Sequence, residues 1–190
     1  MNFRQYFSHR CQLWRQQRLQ RDFARLGAGL EVGTLGLDGT APYLDIAGKI
    51  ELGERVTFRC ITRRTSLSVR SGALLKIGPD SYINQGVNFA VTCGVTLGRR
   101  CVVAEAVSFF DTNYHEVDQG AGIFSAPVVI GANVWIGHGA IILPGTRIGD
   151  HSVVGAGAVV RGEFPARSLI AGVPAKRIRD IRCADDFSRA

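Results

Sequence analysis

Residues 127–160 read PVVIGANVWIGHGAIILPGTRIGDHSVVGAGAVV. Stepping by six from Ile130 lands on Ile136, Ile142, Ile148, Val154 and Val160. The next residue in each hexad is Gly131, Gly137, Leu143, Gly149, Gly155 or Arg161, so glycine fills most of these places. The fifth place holds Val134, Ala140, Thr146, Ser152 and Ala158, all small or β-branched. An α-helix repeats its apolar residues every 3.6 positions and a half-buried strand every 2, so a strict period of six fits neither. It fits a coil with three flat sides of six residues each. The aliphatic first place then points inward, and glycine or asparagine takes the corners. One such turn cannot bury its apolar face alone, so stability must come from stacking turn on turn.

Outward from this stretch the register continues with slips. Ile46, Leu52 and Phe58 are in step, as are Ile77 and Ile83, and then Val91, Leu97, Val103 and Phe109. Residues 110–127, FDTNYHEVDQGAGIFSAP, break the pattern before Pro127 restores it. The expected organisation is a helical capping segment over 1–43, a β-coil over 44–174 with a protruding loop at 110–127, and a basic helix or tail over 175–190. Residues 2–26 hold no glycine or proline and are rich in Gln, Arg and Leu, which predicts an N-terminal helix. Phe3, Tyr6, Phe7, Trp14, Phe23 and Leu26 give it an interrupted apolar stripe. It is expected to cover one end of the coil, whose open edge would otherwise pair with other chains. An Arg-rich helix in weak contact with an anionic membrane surface is the alternative.

The formal charge is +7, yet residues 1–26 alone carry six arginines against the single acid Asp22. A nucleic-acid binder would spread its basic side chains over the folded surface, so none is expected as a partner. The chain has no apolar run long enough to span a membrane, and its first residues lack the apolar core of a secretory signal. Five cysteines without CxxC spacing (Cys11, Cys60, Cys93, Cys101 and Cys183) read as reduced thiols in a cytoplasmic protein. Cys93 and Cys101 are expected to be small core hydrophobes.

The segments NVWIG, VVGAGAVV and AGVPAKRI, within residues 65–181, closely resemble the hexapeptide-repeat acyltransferases. The similarity is to galactoside, maltose and nodulation-type sugar acetyltransferases and equally to polysaccharide and lipopolysaccharide O-acetyltransferases. The resemblance implies an all-β fold, a left-handed parallel β-helix of hexapeptide repeats, with an N-terminal α-helix and a short C-terminal helix. It implies a homotrimer with clefts between subunits, acetyl-CoA as co-substrate, a sugar hydroxyl as acceptor and no metal.

The family's detour from the coil carries its catalytic histidine. Here the loop's histidine is His115, in a DTNxH-like run that polysaccharide O-acetyltransferases share. A sugar hydroxyl is a poor nucleophile until it loses its proton, and an imidazole titrating near neutral pH suits that task. Asp111, Glu116 or a backbone carbonyl could orient the ring. By the same resemblance, the acceptor is contacted by Asn84, Tyr82 and Asp111, and Trp135 flanks the coenzyme cleft. Gly137 and Ala156 leave room for the pantetheine arm. The N–H of His138 faces the oxyanion. Arg161, Lys176 and Arg179 face the coenzyme phosphates.

Three rivals share the fold or the chemistry. A γ-type carbonic anhydrase needs three converging histidines, whereas His9, His115, His138 and His151 include no HxxxxH pair. A non-catalytic β-helix assembly protein would not need the histidine loop or the AGVPAKRI ending. An acyl-CoA-dependent N-acyltransferase on an amino sugar or another small acceptor remains open.

Overall fold

A computed structural model describes residues 3–24 and 30–189, with side chains from residue 13 to 23 and from 33 to 189. After one helix, Phe3–Ala24, the chain winds as a left-handed parallel β-helix of six turns and part of a seventh. The first face stacks Leu30–Val32, Lys49–Leu52, Leu74–Ile77, Gly94–Leu97, Val128–Ile130, Arg147–Ile148 and Glu163–Phe164. The second stacks Leu35–Gly39, Val56–Cys60, Tyr82–Ile83, Val102–Val103, Trp135–Ile136, Val153–Val154 and Ser168–Gly172. The third stacks Tyr43–Ile46, Ser66–Val69, Asn88–Val91, Ser108–Phe110, Ile141–Ile142 and Val159–Val160. Every pairing between successive turns is parallel and in register, as in Val102 with Trp135 and Val103 with Ile136.

The six-step positions form the core. Ile130, Ile136, Ile142, Ile148, Val154 and Val160 are all buried, and so are Leu52, Phe58, Ile77, Ile83, Val91, Leu97, Val103 and Phe109. In the third-face strand Asn88–Val91 two residues point inward: Phe89 is buried beside Val91, and its ring stacks on Phe109 at 4.7 Å. That explains the eight-residue step from Ile83 to Val91. The fifth hexad places Val134, Ala140, Thr146, Ser152 and Ala158 are buried at the corners. Thr146 and Ser152 spend their hydroxyls on backbone carbonyls of Leu143, Val160 and Pro165, so these polar atoms are not orphaned.

The coil starts earlier than the sequence suggests. The first turn spans 30–46 and not 44 onward, because its sides and corners vary in length and hide the six-step. The N-terminal helix packs against that turn. Leu19 and Phe23 are fully buried, and Gln20 donates to the Gly33 carbonyl and accepts from the Leu35 N–H. Trp14 is not part of this buried stripe and stands 55% exposed. Leu26 and the side chains of Phe3, Tyr6 and Phe7 lie outside the described residues. No described helix is long and apolar enough to cross a membrane.

The expected short C-terminal helix is absent. Ala175–Asp180 is a strand, antiparallel to Ser168–Gly172. The last rung of the second face presents unpaired backbone N–H and C=O groups, and pairing with them outweighs the modest helix preference of Ala, Lys and Arg. Beyond it the tail returns to the coil and is held by buried Asn133. The Asn133 Nδ2 donates to the Phe187 carbonyl at 2.7 Å, and its Oδ1 accepts from the Arg189 N–H at 3.0 Å.

Candidate active site

The loop leaves the coil at the corner between the third and first faces, and its neck is closed. The Asn113 N–H donates to the Phe124 carbonyl and the Ala126 N–H to the Asp111 carbonyl, while the Ser125 hydroxyl donates to Thr112 Oγ1 at 2.7 Å. His115 stands just beyond this neck, exposed to solvent, and its ring bonds to no described residue. Around it Tyr114, Val117, Ile123 and Phe124 are also exposed.

Asp111 does not face an acceptor. It is fully buried, and its carboxylate accepts the N–H groups of Thr92, Cys93 and Gly94 at 2.7–2.9 Å. It pins the loop's origin to the corner of the preceding turn. Nor does it orient His115, and Glu116 is engaged inside the loop by the Gly120 N–H. Cys93, expected in the core, sits exposed at this corner. Partial desolvation, and then the Asp111 carboxylate beside it, push its thiol up to about 11. Cys101 is buried as expected, and burial likewise raises its thiol to about 11.

A second group assembles along the corner between the second and third faces. Tyr82, Val102 and Trp135 stack as one outward column, with Tyr82 half-buried and Trp135 46% exposed. Asn84 lies at the end of the Tyr82 strand. Its Oδ1 accepts the Gln85 N–H at 2.8 Å, leaving its Nδ2 without a partner among the described residues. Two turns on, the His138 side chain is exposed and its N–H meets no acceptor among the described residues. At the equivalent place in the earlier turn, the Gln85 N–H is capped by Asn84. An uncapped N–H at an open corner is a donor available to a developing oxyanion.

Gly137 is buried under the next turn. A Cβ there would meet the Ala156 N at 2.7 Å and the Val154 O at 2.8 Å. The glycine is therefore required by stacking of the coil itself. Ala156 is exposed on the same edge, where Gly139 and Gly157 adopt positive φ and a Cβ on either would meet nothing within 4 Å. The result is an open edge of small residues on the turns that carry Trp135 and Val153.

Lys176 continues this edge. It is exposed and pairs across the last two strands with Ala171, which sits against Gly155. Arg179 is exposed on the same strand and donates to the Asp180 carbonyl. Arg161 belongs elsewhere. It lies at the loop's corner, with its guanidinium 5.2 Å from the Phe124 ring centroid. Within one chain, then, Tyr82, Asn84, Trp135, Gly137, His138, Ala156 and Lys176 share one corner, and His115 and Arg161 another.

The tail's part was not legible in the sequence. Residues 187–189 join Val102 and Trp135 around a cavity of about 470 Å³. Its anchor, Asn133, reads in the sequence as an ordinary corner residue. Among the described residues, no three His, Cys, Asp or Glu side chains gather as a metal would require.

Comparison with known proteins agrees with this architecture. The bacterial transferase hexapeptide family (six repeats) matches residues 127–162, and the hexapeptide repeat of succinyl-transferase matches 75–105. The chain is 34% identical over 149 residues to the putative lipopolysaccharide biosynthesis O-acetyl transferase WbbJ of Escherichia coli (strain K12), covering 72% of this chain and 74% of that one. It is 37% identical over 117 residues to the galactoside O-acetyltransferase of the same organism, covering 60% of this chain and only 58% of the relative's length. A solved galactoside acetyltransferase in complex with coenzyme A aligns with TM-score 0.53 at 28% identity, over 78% of this chain and 66% of that one.

Proposed function

The chain belongs to the hexapeptide-repeat acyltransferases, and from that premise we propose that it is an acetyl-CoA-dependent O-acetyltransferase acting on a sugar hydroxyl in cell-surface polysaccharide or lipopolysaccharide modification. The observation that carries this reading is the presence, in one chain, of a free imidazole and of an uncapped backbone donor. His115 is held out on a closed-neck loop, and the His138 N–H is free beside exposed Trp135.

Acetyl-CoA supplies the acetyl group as a thioester. His115 accepts the proton of the acceptor hydroxyl as its oxygen attacks the thioester carbonyl carbon. The His138 N–H donates to the oxygen that gains negative charge. When the C–S bond breaks, the departing thiolate takes the proton from the imidazolium of His115, and the acetyl ester remains on the sugar. Trp135 and the small residues along its edge flank the pantetheine arm. Lys176 and Arg179 lie toward the phosphates. Asn84 offers its free amide N–H, and Tyr82 its hydroxyl, to the acceptor.

His115 and His138 occupy different corners of one chain, so a complete site takes the base from one subunit and the donor from its neighbour. A homotrimer meets that need. The exposed Tyr114, Val117, Ile123 and Phe124 around His115 support it, since a loop tip this apolar is suited to cover by a neighbouring subunit. Four described cysteines are free thiols, which suits the cytoplasm as the site of reaction.

The test is thiol release from acetyl-CoA in the presence of a panel of sugars and nucleotide sugars. Replacing His115 by Ala is expected to slow transfer about 10²–10⁴-fold while coenzyme binding persists. Turnover untouched by that substitution would refute the assignment.

A further inference from the structure

A cavity of about 600 Å³ opens at the N-terminal end of the coil, between the helix and the corner at residues 40–44. Two large aromatic side chains line it and remain more than half exposed, Trp14 at 55% and Tyr43 at 54%. Three arginines join them (Arg15, Arg18 and Arg64) against one acid, Asp22. Arg64 is fixed in place, its Nε donating to the Ala41 carbonyl at 2.9 Å and its NH2 group to the Pro42 carbonyl at 3.0 Å. Arg18 divides itself between Asp22, at 3.8 Å, and the Trp14 ring, at 5.7 Å. Arg15 has no partner among the described residues.

Exposed aromatic faces in a recess, with a surplus of guanidinium groups, define a ligand chemistry. The faces take flat apolar surfaces such as one side of a pyranose ring, and the guanidinium forks take carboxylates. The cavity's size falls within the roughly 300–1,000 Å³ of small-ligand clefts. Its position matters as much. It lies on the corner between the second and third faces, the same corner that carries Asn84 and His138 further along the coil. With turns about 4.8 Å apart, four turns put His138 roughly 19 Å away, the reach of a short oligosaccharide.

The geometry points to an anchoring subsite for an acidic oligosaccharide, with Trp14 and Tyr43 taking sugar rings and Arg15 and Arg64 taking carboxylates. The inference rests on the sugar-acetylation reading in that it makes the acceptor a charged glycan chain laid along one corner. A mono- or disaccharide bound beside His138 would not reach the cavity. A flat membrane surface would have no use for a recess.

The test reads Trp14 directly. The chain has two tryptophans, so Trp135→Phe leaves Trp14 as the reporter. Its fluorescence is titrated with oligogalacturonate, with neutral malto-oligosaccharides, with a single-stranded oligonucleotide and with vesicles containing anionic lipid. Oligogalacturonate is expected to give a saturable change that weakens as salt is raised and weakens about tenfold with Arg15→Gln. Tyr43→Ala, away from the helix, is expected to weaken it as well, with the circular dichroism spectrum unchanged. An equal or stronger response to neutral sugar, oligonucleotide or vesicles would overturn the proposal, as would no response to oligogalacturonate. The two readings fail separately. Saturable binding with turnover indifferent to His115 sinks the transfer mechanism alone, and normal His115-dependent transfer without Trp14-reported binding sinks the subsite alone.

Discussion

Replacing Asp111 by Asn tests how the loop that carries His115 is tied to the coil. The carboxylate accepts three backbone N–H groups at 2.7–2.9 Å, from Thr92, Cys93 and Gly94, with both oxygens in use. In the amide, one oxygen becomes an NH2 group that can only donate, and it faces N–H groups that also donate. Oδ2 accepts all three N–H groups and Oδ1 only shares that of Thr92, so an amide with its oxygen at the Oδ2 place sets its NH2 group against the Thr92 N–H, and one arm of that shared bond is lost. A hydrogen bond to a charged group contributes about 1.5–3 kcal/mol and a neutral one about 0.5–1.5 kcal/mol, so losing the charge on the remaining bonds and setting donor against donor both cost stability. Cys93 is exposed, so water can reach part of this corner, which keeps the total near about 2–3 kcal/mol. For a chain of this length that lowers the melting temperature by roughly 4–12 °C. A second readout is independent of melting. The Asp111 carboxylate helps to hold the Cys93 thiol at about 11, so neutralising it lowers that value, raises the thiolate fraction and speeds labelling. The assay follows reaction with a disulfide reagent near pH 8, in a background with Cys11 and Cys183 replaced by Ser. Unchanged melting together with unchanged labelling would refute the role assigned to this carboxylate.

Gly137→Val puts a Cβ 2.7 Å from the Ala156 N, so the next turn must shift; a melting temperature and transfer rate equal to the parent's would contradict the stacking argument. Asn133 has φ 55°, which glycine tolerates, so Asn133→Gly removes the tail's anchor with little backbone strain. It is expected to cost about 1–3 kcal/mol and to expose residues 181–189 to proteolysis, and tail cleavage at the parent's rate would count against the anchor. The Glu51 carboxyl is held below its ordinary value of 4.5 by hydrogen bonds from Lys49 and Lys76. Its contribution to stability is therefore complete above that value and is lost as pH falls through the lowered pKa. The melting difference between the parent and Glu51→Gln should shrink between about pH 6 and about pH 3, and a difference that is constant or grows would reverse the sign assigned here.

The amino-acid sequence by itself determined the coil. Which residues point inward is a property of local spacing, and each six-step residue from Ile130 to Val160 is buried as that spacing requires. It also marked the loop, since residues 110–127 interrupt the period, and it singled out His115 as the histidine there. Tertiary structure decided what depends on groups distant in sequence. The strand at Ala175–Asp180 exists because a rung of unpaired backbone lies beside it, a template that no local propensity encodes. Asp111 reads as an acceptor contact or an orienter of His115 until the corner at 92–94 turns three N–H groups toward it, almost twenty residues earlier in the chain. The first turn, the tail held by Asn133 and the cavity under the N-terminal helix likewise arise where separate segments meet. Periodicity reports which face of the chain is apolar; only packing decides which backbone groups remain to be satisfied, and by whom.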